Sequence, residues 1–254
     1  MKLGFIGSGE ITKAVVQGIT KSQINYKKIL ISKRNNKISS YLKKINKKVI
    51  ISSDNQYIID NSDWIFLAIT PTVAKQILEK LKFKDKQIVI SFISTIKLRE
   101  LKLLSNKKTN IVRAIPLPPI SFMKGPIPLF PRNKKVSKFF NNIGDTIEIS
   151  DETTSLSFWA VSSLMAPYYE LLFEVSKWLQ KKGLSKSYSQ KYVSSLFSAL
   201  SEVAVMKSDR DLKLLVKDSQ TPKGLNEQTL KFLKKKGFYK QLDISLEKIL
   251  KRLK

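Results

Sequence analysis

Apolar and polar residues alternate with two different periods along this chain. In the first half, short runs rich in Ile, Val and Phe predict buried strands, and stretches with apolar residues every three to four positions predict helices. The predicted strands are residues 3–6, 29–32, 49–52, 64–69, 88–92 and 111–115, with a last strand near 146–149. The predicted helices between them are residues 11–20, 37–45, 72–81 and 97–104. This alternation predicts right-handed βαβ units and a parallel sheet.

From Asp151 onward the pattern is helical throughout. The predicted helices are residues 153–182, 185–207, 209–217, 224–236 and 242–253. Gly183 and Gly237 follow lysine-rich turns, as glycines do after a helix C-terminus. Pro167 predicts a kink in the first of these helices, or its true start. We therefore predict an α/β domain over residues 1–150 and an all-helical domain over residues 151–254.

Prolines cluster just before the change of pattern. Six of the nine prolines lie in residues 116–131. Because proline has no N–H to donate to a central strand, we predict loop and sheet edge over this stretch.

The first predicted strand runs directly into Gly7-Ser8-Gly9, and a helix follows at once. Gly7 permits a tight turn, and Gly9 lets phosphates approach the backbone next to the helix N-terminus. The third small position of the G-x-G-x-x-G/A pattern holds Thr12, which is a departure. We predict the pyrophosphate site of a dinucleotide in a Rossmann-like domain; the alternative is a strand–turn–helix without a ligand.

The end of the second predicted strand indicates which dinucleotide is bound. NAD-binding folds place a carboxylate there, whereas this chain has Ser32, Lys33, Arg34 and Asn35, with no Asp or Glu between Glu10 and Asp54. A carboxylate would repel a 2′-phosphate, while these side chains offer donors and positive charge to it. We predict NADP as the cofactor, although a lysine-rich chain could also place Lys33 here by chance.

Composition removes several kinds of chemistry. The 254 residues contain no Cys and no His, which excludes disulfides, thiolate metal sites and a histidine base. The formal charge of +27 invites a nucleic-acid interpretation, but the basic residues are spread through every segment, and we favour codon bias as their cause. No apolar run is long enough to span a bilayer, and the first strand leaves no room for a signal peptide. We expect a cytoplasmic protein with no membrane or nucleic-acid partner.

Five segments resemble pyrroline-5-carboxylate reductases, the enzymes of the last step of proline synthesis, and the resemblance covers essentially the whole chain. Residues 4–9 resemble the family's opening strand and turn, and residues 32–34 its Ser-Asn-Arg segment. Residues 62–71 are similar to S-D-x-x-x-L-A-V-K-P, with Thr in place of Lys. Residues 113–119 are similar to R-x-M-P-N-T-P, and residues 217–224 to K-D-x-V-T-S-P-G-G.

The resemblance implies a Rossmann domain, a helical dimerisation domain and a substrate pocket shared between protomers. It implies hydride transfer from NADPH to a cyclic C=N bond, a cyclic imino acid as substrate, and a homodimer or higher homo-oligomer. A protonated imine is already electrophilic, so no metal is expected. Together with the motifs above, it places these residues at the cofactor: Gly7, Ser8, Gly9, Glu10, Ile11, Ser32, Lys33, Arg34, Asn55, Ala68, Ile69, Thr70 and Pro71. The catalytic candidates are Thr221, Lys223, Gly224 and Asn226.

The chain departs from the family where substrate would bind. Residues 163–167 replace both glycines of Ser-Gly-Ser-Gly-Pro with bulkier residues, Lys223 replaces a glycine, Asn226 replaces a threonine, and residues 117–118 replace Asn-Thr. We predict reduction of pyrroline-5-carboxylate to L-proline. The alternatives are a reductase of the same fold acting on another small imine or carbonyl compound, and a non-catalytic protein that binds NADP or nucleic acid.

Overall fold

The structure is a computed structural model that describes residues 1–93, 95–105 and 109–254. Within these residues the strands are β1 (Lys2–Ile6), β2 (Lys28–Ser32), β3 (Val49–Ser52), β4 (Trp64–Leu67), β5 (Ile88–Ser91), β6 (Asn110–Ala114), β7 (Pro126–Phe130) and β8 (Asp145–Glu148). The helices of the first 150 residues are α1 (Glu10–Lys21), α2 (Asn36–Ile45), α3 (Asn55–Asp60), α4 (Pro71–Leu78), α5 (Leu98–Ser105) and α6 (Lys134–Phe140). Those that follow are α7 (Glu152–Ser162), α8 (Met165–Lys181), α9 (Lys186–Met206), α10 (Leu212–Asp218), α11 (Leu225–Lys235) and α12 (Phe238–Leu253).

The strands form one sheet in the order β3-β2-β1-β4-β5-β6-β7-β8. All neighbouring strands are parallel except β6 and β7. In the centre, Gly4 of β1 lies opposite Leu30 on one side and Ile65 on the other. The chain crosses from one half of the sheet to the other between β3 and β4, so β1 and β4 flank the switch point where such folds bind ligands. The predicted α/β fold with a Rossmann-like parallel sheet is confirmed.

Apolar layers cover both faces of the sheet, as the continuous apolar runs in the strand sequences predict. One layer joins strand residues to α1, α2 and α6, and at its centre the rings of Phe5 and Phe66 stack with centroids 4.4 Å apart. The other layer packs Ile6 and Leu67 against α3, α4 and α5. The strand ends are therefore held rigidly between two helical layers.

The proline-rich stretch is a correction to the sequence prediction. We expected loop and sheet edge, but β7 lies inside the sheet and the edge strand is β8. The carbonyl of Pro128 accepts from Ile115 on the β6 side, whereas the carbonyl of Leu129 accepts from Ile149 on the other side. The backbone groups of successive strand residues point alternately to the two neighbouring strands, so those of Pro126 and Pro128 point to the same side. Their missing N–H groups therefore face β6, where pairing spans only two residue pairs.

Other elements differ from the predictions in extent. Helices α3 and α6 and the 3-10 turn Pro118–Phe122 were not predicted. The stretch 153–182 is two helices, with Pro167 in the first turn of the second, where proline is tolerated. The last helix begins at Phe238, four residues before the predicted start at 242. Gly183 and Gly237 adopt φ of +97° and +74°, which confirms them as left-handed residues after helix ends.

The chain divides into two compact units, Met1–Trp159 and Ala160–Arg252, that meet within α7. The predicted boundary at residue 150 lies just before this helix. In the second unit α8 packs on α9, with the Tyr168 and Phe197 rings 6.3 Å apart. Helices α10, α11 and α12 contain no buried residue. None of the helices in the described residues is long and apolar enough to cross a bilayer.

Candidate active site

Two adjoining cavities lie over the carboxyl ends of the central strands in the first unit. One has a volume of about 370 Å³ and the other about 460 Å³. The lining residues that they share are Gly7, Arg34, Asn36 and Ile69. We call the two together the strand-end cleft, which occupies the position where open parallel sheets bind ligands.

The two glycines of the β1–α1 turn have different surroundings. Gly7 has φ of +110°, and a Cβ there would lie 2.2 Å from the carbonyl oxygen of Ala68 in the loop after β4. A Cβ on Gly9 would meet nothing within 4 Å. Gly7 is therefore required by the turn itself, whereas Gly9 keeps open the space in front of the N-terminus of α1, as a bound pyrophosphate requires.

Thr12, the departure from the glycine pattern, is fully buried below the turn. Its hydroxyl donates to the carbonyl oxygen of Gly7 over 3.0 Å. The larger side chain thus replaces a close helix–strand packing contact with a hydrogen bond that holds the turn.

Serine hydroxyls connect the turn to the neighbouring segments. Ser32, the last residue of β2, accepts from the N–H of Gly7 over 3.0 Å and donates to Oδ1 of Asn55 over 2.7 Å. The hydroxyl of Ser8 accepts from the N–H of Asn35 over 2.8 Å. The turn after β1 and the loop after β2 are therefore fixed to one another.

The cleft lining carries positive charge and amide groups. Arg34 lines both cavities, and Lys33 lines one. No Asp or Glu is among the described lining residues. The nearest acid in sequence, Asp54, has Oδ1 accepting from the N–H of Gln56 at the start of α3. The charge of the described lining suits a phosphorylated dinucleotide, and these residues include no carboxylate of the kind that NAD-binding sites present to ribose.

Most predicted cofactor residues meet in this cleft, and a few lie beside it. Ten of them line it: Gly7, Ser8, Gly9, Ser32, Lys33, Arg34, Asn55, Ala68, Ile69 and Thr70. Glu10, Ile11 and Pro71 are not among the described lining residues; they begin α1 and α4 next to residues that are. Asn35, named with the donors at the end of the second strand, also lines it, as do Asn36, Ser53 and Ile77, which were not predicted. Asn36 directly follows this segment, so its position could have been noticed, whereas Ser53 and Ile77 offered no such clue.

Three catalytic candidates, Thr221, Lys223 and Gly224, lie in the turn between α10 and α11 of the second unit, and Asn226 is the second residue of α11. Lys223 adopts φ of +62°, a left-handed conformation that glycine favours. Its N–H donates to Oε2 of Glu227 over 2.6 Å, and its carbonyl accepts from Gln228 over 2.8 Å. A Cβ on Gly224 would lie 2.2 Å from Oγ1 of Thr221, so the turn closes tightly on this glycine.

Asn226, at the start of α11, also has a defined orientation. Its amide nitrogen donates to the carbonyl oxygen of Ser219 over 2.7 Å, at the end of α10. The amide oxygen is left as the group that can accept a hydrogen bond from a ligand.

Glu227 holds the turn as a carboxylate. The hydrogen bonds from the Lys231 side chain and from the backbone N–H of Lys223 lower the pKa of its carboxyl group. A lowered pKa in the folded state means that this contribution is present at neutral pH and is lost as the pH falls through the folded value.

The other departures from the family motifs lie at helix starts. Leu164 and Met165, which replace glycine and serine, are half-buried at the N-terminus of α8. Leu117 precedes the 3-10 turn and is also half-buried. These apolar side chains stand where the family motifs have small or polar residues.

Comparison with known proteins agrees with these motifs. A family model described as NADP oxidoreductase, coenzyme F420-dependent, matches residues 2–95. Pyrroline-5-carboxylate reductase 2 of Bacillus subtilis is 23% identical over 99% of this chain and 93% of its own length. Over nearly its whole length the chain is thus similar to pyrroline-5-carboxylate reductases.

Solved structures of this family share the fold over the full chain. A Plasmodium falciparum pyrroline carboxylate reductase with NADP bound gives a TM-score of 0.85 at 23% identity, covering 100% of this chain and 97% of that one. The Streptococcus pyogenes 1-pyrroline-5-carboxylate reductase gives 0.85 at 20% identity, covering 100% and 98%. Both units of this chain thus have counterparts in the family.

Proposed function

We propose that the protein is an NADPH-dependent reductase that converts 1-pyrroline-5-carboxylate to L-proline. The observation that carries the cofactor assignment is the strand-end cleft, in which Gly9 leaves the phosphate path open and Arg34 provides charge without a lining carboxylate among the described residues. The curated relatives of this chain carry the name pyrroline-5-carboxylate reductase, which supports the substrate assignment.

The residues of the cleft fit the parts of this cofactor. The turn from Gly7 to Gly9 and the N-terminus of α1 would hold the pyrophosphate, since free N–H groups and the helix dipole favour an anion. Lys33 and Arg34 would hold the 2′-phosphate by charge-assisted hydrogen bonds. When bound, NADPH supplies the hydride, and the protein supplies orientation and charge.

The groups proposed to bind the substrate come from the turn before α11 and from the start of that helix. The nitrogen of a protonated imine carries an N–H, and the Asn226 amide oxygen can accept it because the amide nitrogen is already bound to Ser219. The ammonium of Lys223 would attract the substrate carboxylate. These residues orient an electrophile that needs no histidine acid.

A second candidate function is reduction of another small imine or carbonyl compound. It is favoured by Leu117, Leu164 and Met165, because bulkier apolar side chains at these motif positions would make a substrate pocket narrower and more apolar, which disfavours a carboxylate-bearing ring. The third candidate is a protein that binds the cofactor without catalysis, which the same substitutions at the substrate motifs would also explain.

Loss of NADPH absorbance, measured across a panel of cyclic imines with and without a carboxylate, separates these functions. Turnover fastest with pyrroline-5-carboxylate is expected. Turnover confined to imines without a carboxylate would establish the second candidate, and binding of NADPH without any turnover would establish the third. The variant Asn226→Ala should lose turnover but keep NADPH affinity.

A homodimer formed through the second unit is part of this proposal. Helices α11 and α12 are 11 and 16 residues long, yet neither contains a buried residue. Isolated helices of this length are marginal in water, and their stability in proteins comes from packing an apolar face. Leu225 and Phe232 are 83% and 59% exposed, so a second copy of the chain is expected to cover this surface.

The proposed location is the cytoplasm. The absence of cysteine fits a reducing compartment, where disulfides are rare. Cell fractionation with an antibody to the protein would test it.

A further inference from the structure

We infer that the hydroxyl of Ser32 is a positioning group for the dinucleotide and not a ligand of its 2′-phosphate. The inference rests on the proposed function, because it concerns the cofactor held in the strand-end cleft. It separates the role of Ser32 from that of the adjacent Lys33 and Arg34.

The hydrogen bonds of the Ser32 hydroxyl are already made within the protein. The residue is 5% exposed, and its oxygen accepts from the N–H of Gly7. The same oxygen lies 2.7 Å from Asn55 Oδ1 and 3.2 Å from the carbonyl oxygen of Phe5, the two acceptors to which its hydrogen can be donated. A hydroxyl has a single hydrogen, and a phosphate oxygen needs a donor. Ser32 therefore has no donor left for a phosphate.

The first consequence concerns the turn from Gly7 to Gly9, which is proposed to hold the pyrophosphate. Gly7 lies between two fixed groups: its N–H is bound to Ser32, and the Ala68 carbonyl oxygen blocks the position where a Cβ would stand. This sets the direction of the turn that leads to Gly9. Losing the hydroxyl leaves the buried N–H of Gly7 without that acceptor, at a cost to the geometry of the turn.

The second consequence concerns Asn55, which lines the cleft. The two ends of an amide are nearly equal in shape but opposite in hydrogen bonding. Because the oxygen of Asn55 accepts from Ser32, the nitrogen is the end available to the cleft as a donor. Without the hydroxyl the Asn55 amide can rotate by half a turn and present its oxygen to the cleft. That oxygen would repel a phosphate and cannot donate a hydrogen bond to the cofactor.

The test measures dissociation constants of NADPH and NADH by fluorescence titration at fixed ionic strength. Ser32→Ala should weaken both cofactors by the same factor, about three- to tenfold, as for loss of a neutral hydrogen bond. Asn55→Ala should also weaken both. The double variant should lose less than the product of the two single losses, because Ser32 acts partly through Asn55.

Ser39→Ala is the matched control. Ser39 is fully buried, and its hydroxyl donates to the backbone carbonyl of Asn35 over 3.0 Å, but it does not line the strand-end cleft. It should leave both affinities unchanged. Ser32→Thr retains the hydroxyl and should keep the affinity within about twofold of the original for both cofactors; this comparison remains informative if the alanine variant folds poorly.

The outcomes distinguish this inference from the proposed function. Weakening of NADPH alone by Ser32→Ala would make the hydroxyl a direct ligand of the 2′-phosphate and would overturn the inference, as would no weakening at all. Losses that multiply fully in the double variant would overturn the route through Asn55. Failure of the unmodified protein to bind either cofactor would refute the proposed function itself, and this inference with it.

Discussion

The guanidinium of Arg113 donates to Oε1 of Glu152 over 2.7 Å, joining the end of β6 to the first turn of α7. The arginine side chain is 3% exposed, and the same carboxylate oxygen accepts from the N–H of Leu98 at the start of α5. Burial lowers the pKa of Arg113, and Glu152 raises it. One carboxylate therefore holds three segments of the first unit around a buried positive charge.

Removal of this carboxylate should destabilise the first unit. Glu152→Ala leaves the Arg113 charge buried without the carboxylate that faces it. We expect the free energy of unfolding to fall by about 2–3 kcal/mol, which is less than for a fully buried pair because Glu152 is partly exposed. Urea unfolding followed by circular dichroism measures the loss. Glu148→Ala, at an exposed position of β8, is the control and should change stability little. Equal stability of the two variants would show that the pair contributes nothing.

Gly9→Val should abolish dinucleotide binding in a folded protein. The Cβ position at Gly9 is open, so the side chain fits the protein but fills the path of the pyrophosphate. Calorimetric titration with NADPH and thermal melting give the two readouts. Gly7→Val is the contrasting variant and should lower the melting temperature strongly, because its Cβ would clash with the Ala68 carbonyl. Unchanged NADPH affinity in folded Gly9→Val would place the phosphate site elsewhere.

Arg34→Ala should weaken NADPH far more than NADH. A charge-assisted contact to the 2′-phosphate is worth about 1.5–3 kcal/mol, or roughly tenfold to a hundredfold in affinity. Lys33 can compensate in part, so the lower end is expected. Lys37→Ala also removes one positive charge near the start of α2, but Lys37 is not among the described lining residues. The measured quantity is the ratio of the two dissociation constants, and equal losses for both cofactors would contradict the NADP assignment of Arg34.

Lys223→Gly should stabilise the protein. The left-handed conformation costs a non-glycine residue roughly 1–2 kcal/mol, and the greater chain entropy of glycine offsets part of the gain, so about 0.5–1 kcal/mol remains. Lys236→Gly, where φ is −80°, has no strain to release and should destabilise slightly. Thermal melting compares the two. The KM for an imino acid should rise in Lys223→Gly, because the ammonium proposed to attract the substrate carboxylate is removed.

The second unit should dimerise. Analytical ultracentrifugation at micromolar concentration should give twice the 29.1 kDa chain mass or a higher multiple. Replacing Leu225 and Phe232 together by Glu should shift the protein toward the monomer, since both are exposed apolar residues of the unburied α11. Leu103→Glu introduces a charge at an apolar residue of the first unit that is 63% exposed, and should leave the mass unchanged. A monomeric mass for the unmodified protein would exclude the proposed dimer.

The sequence by itself determined the elements of the central sheet and the glycine turn between β1 and α1. Seven strands and four helices of the first unit could be located because apolar runs and helical periodicity are local properties of the chain. The glycine spacing and the residues Ser32, Lys33 and Arg34 are equally local, so the strand-end cleft could be outlined before any contact was known. The sequence also located the helix ends at Gly183 and Gly237, since helix termination depends on one residue and its neighbours.

Tertiary structure alone decided what depends on register between distant segments. The strand β7 contains two prolines, and only its neighbours show that the missing donors face the short β6 pairing. The contact of Ser32 with Gly7 spans 25 positions in the chain, and that of Arg113 with Glu152 spans 39. Side-chain hydrogen bonds of this kind require alignment within a few tenths of an ångström, which packing of the sheet and its helices supplies. Composition and periodicity contain no such distances, so the positioning of the cleft residues could be described only from the folded chain.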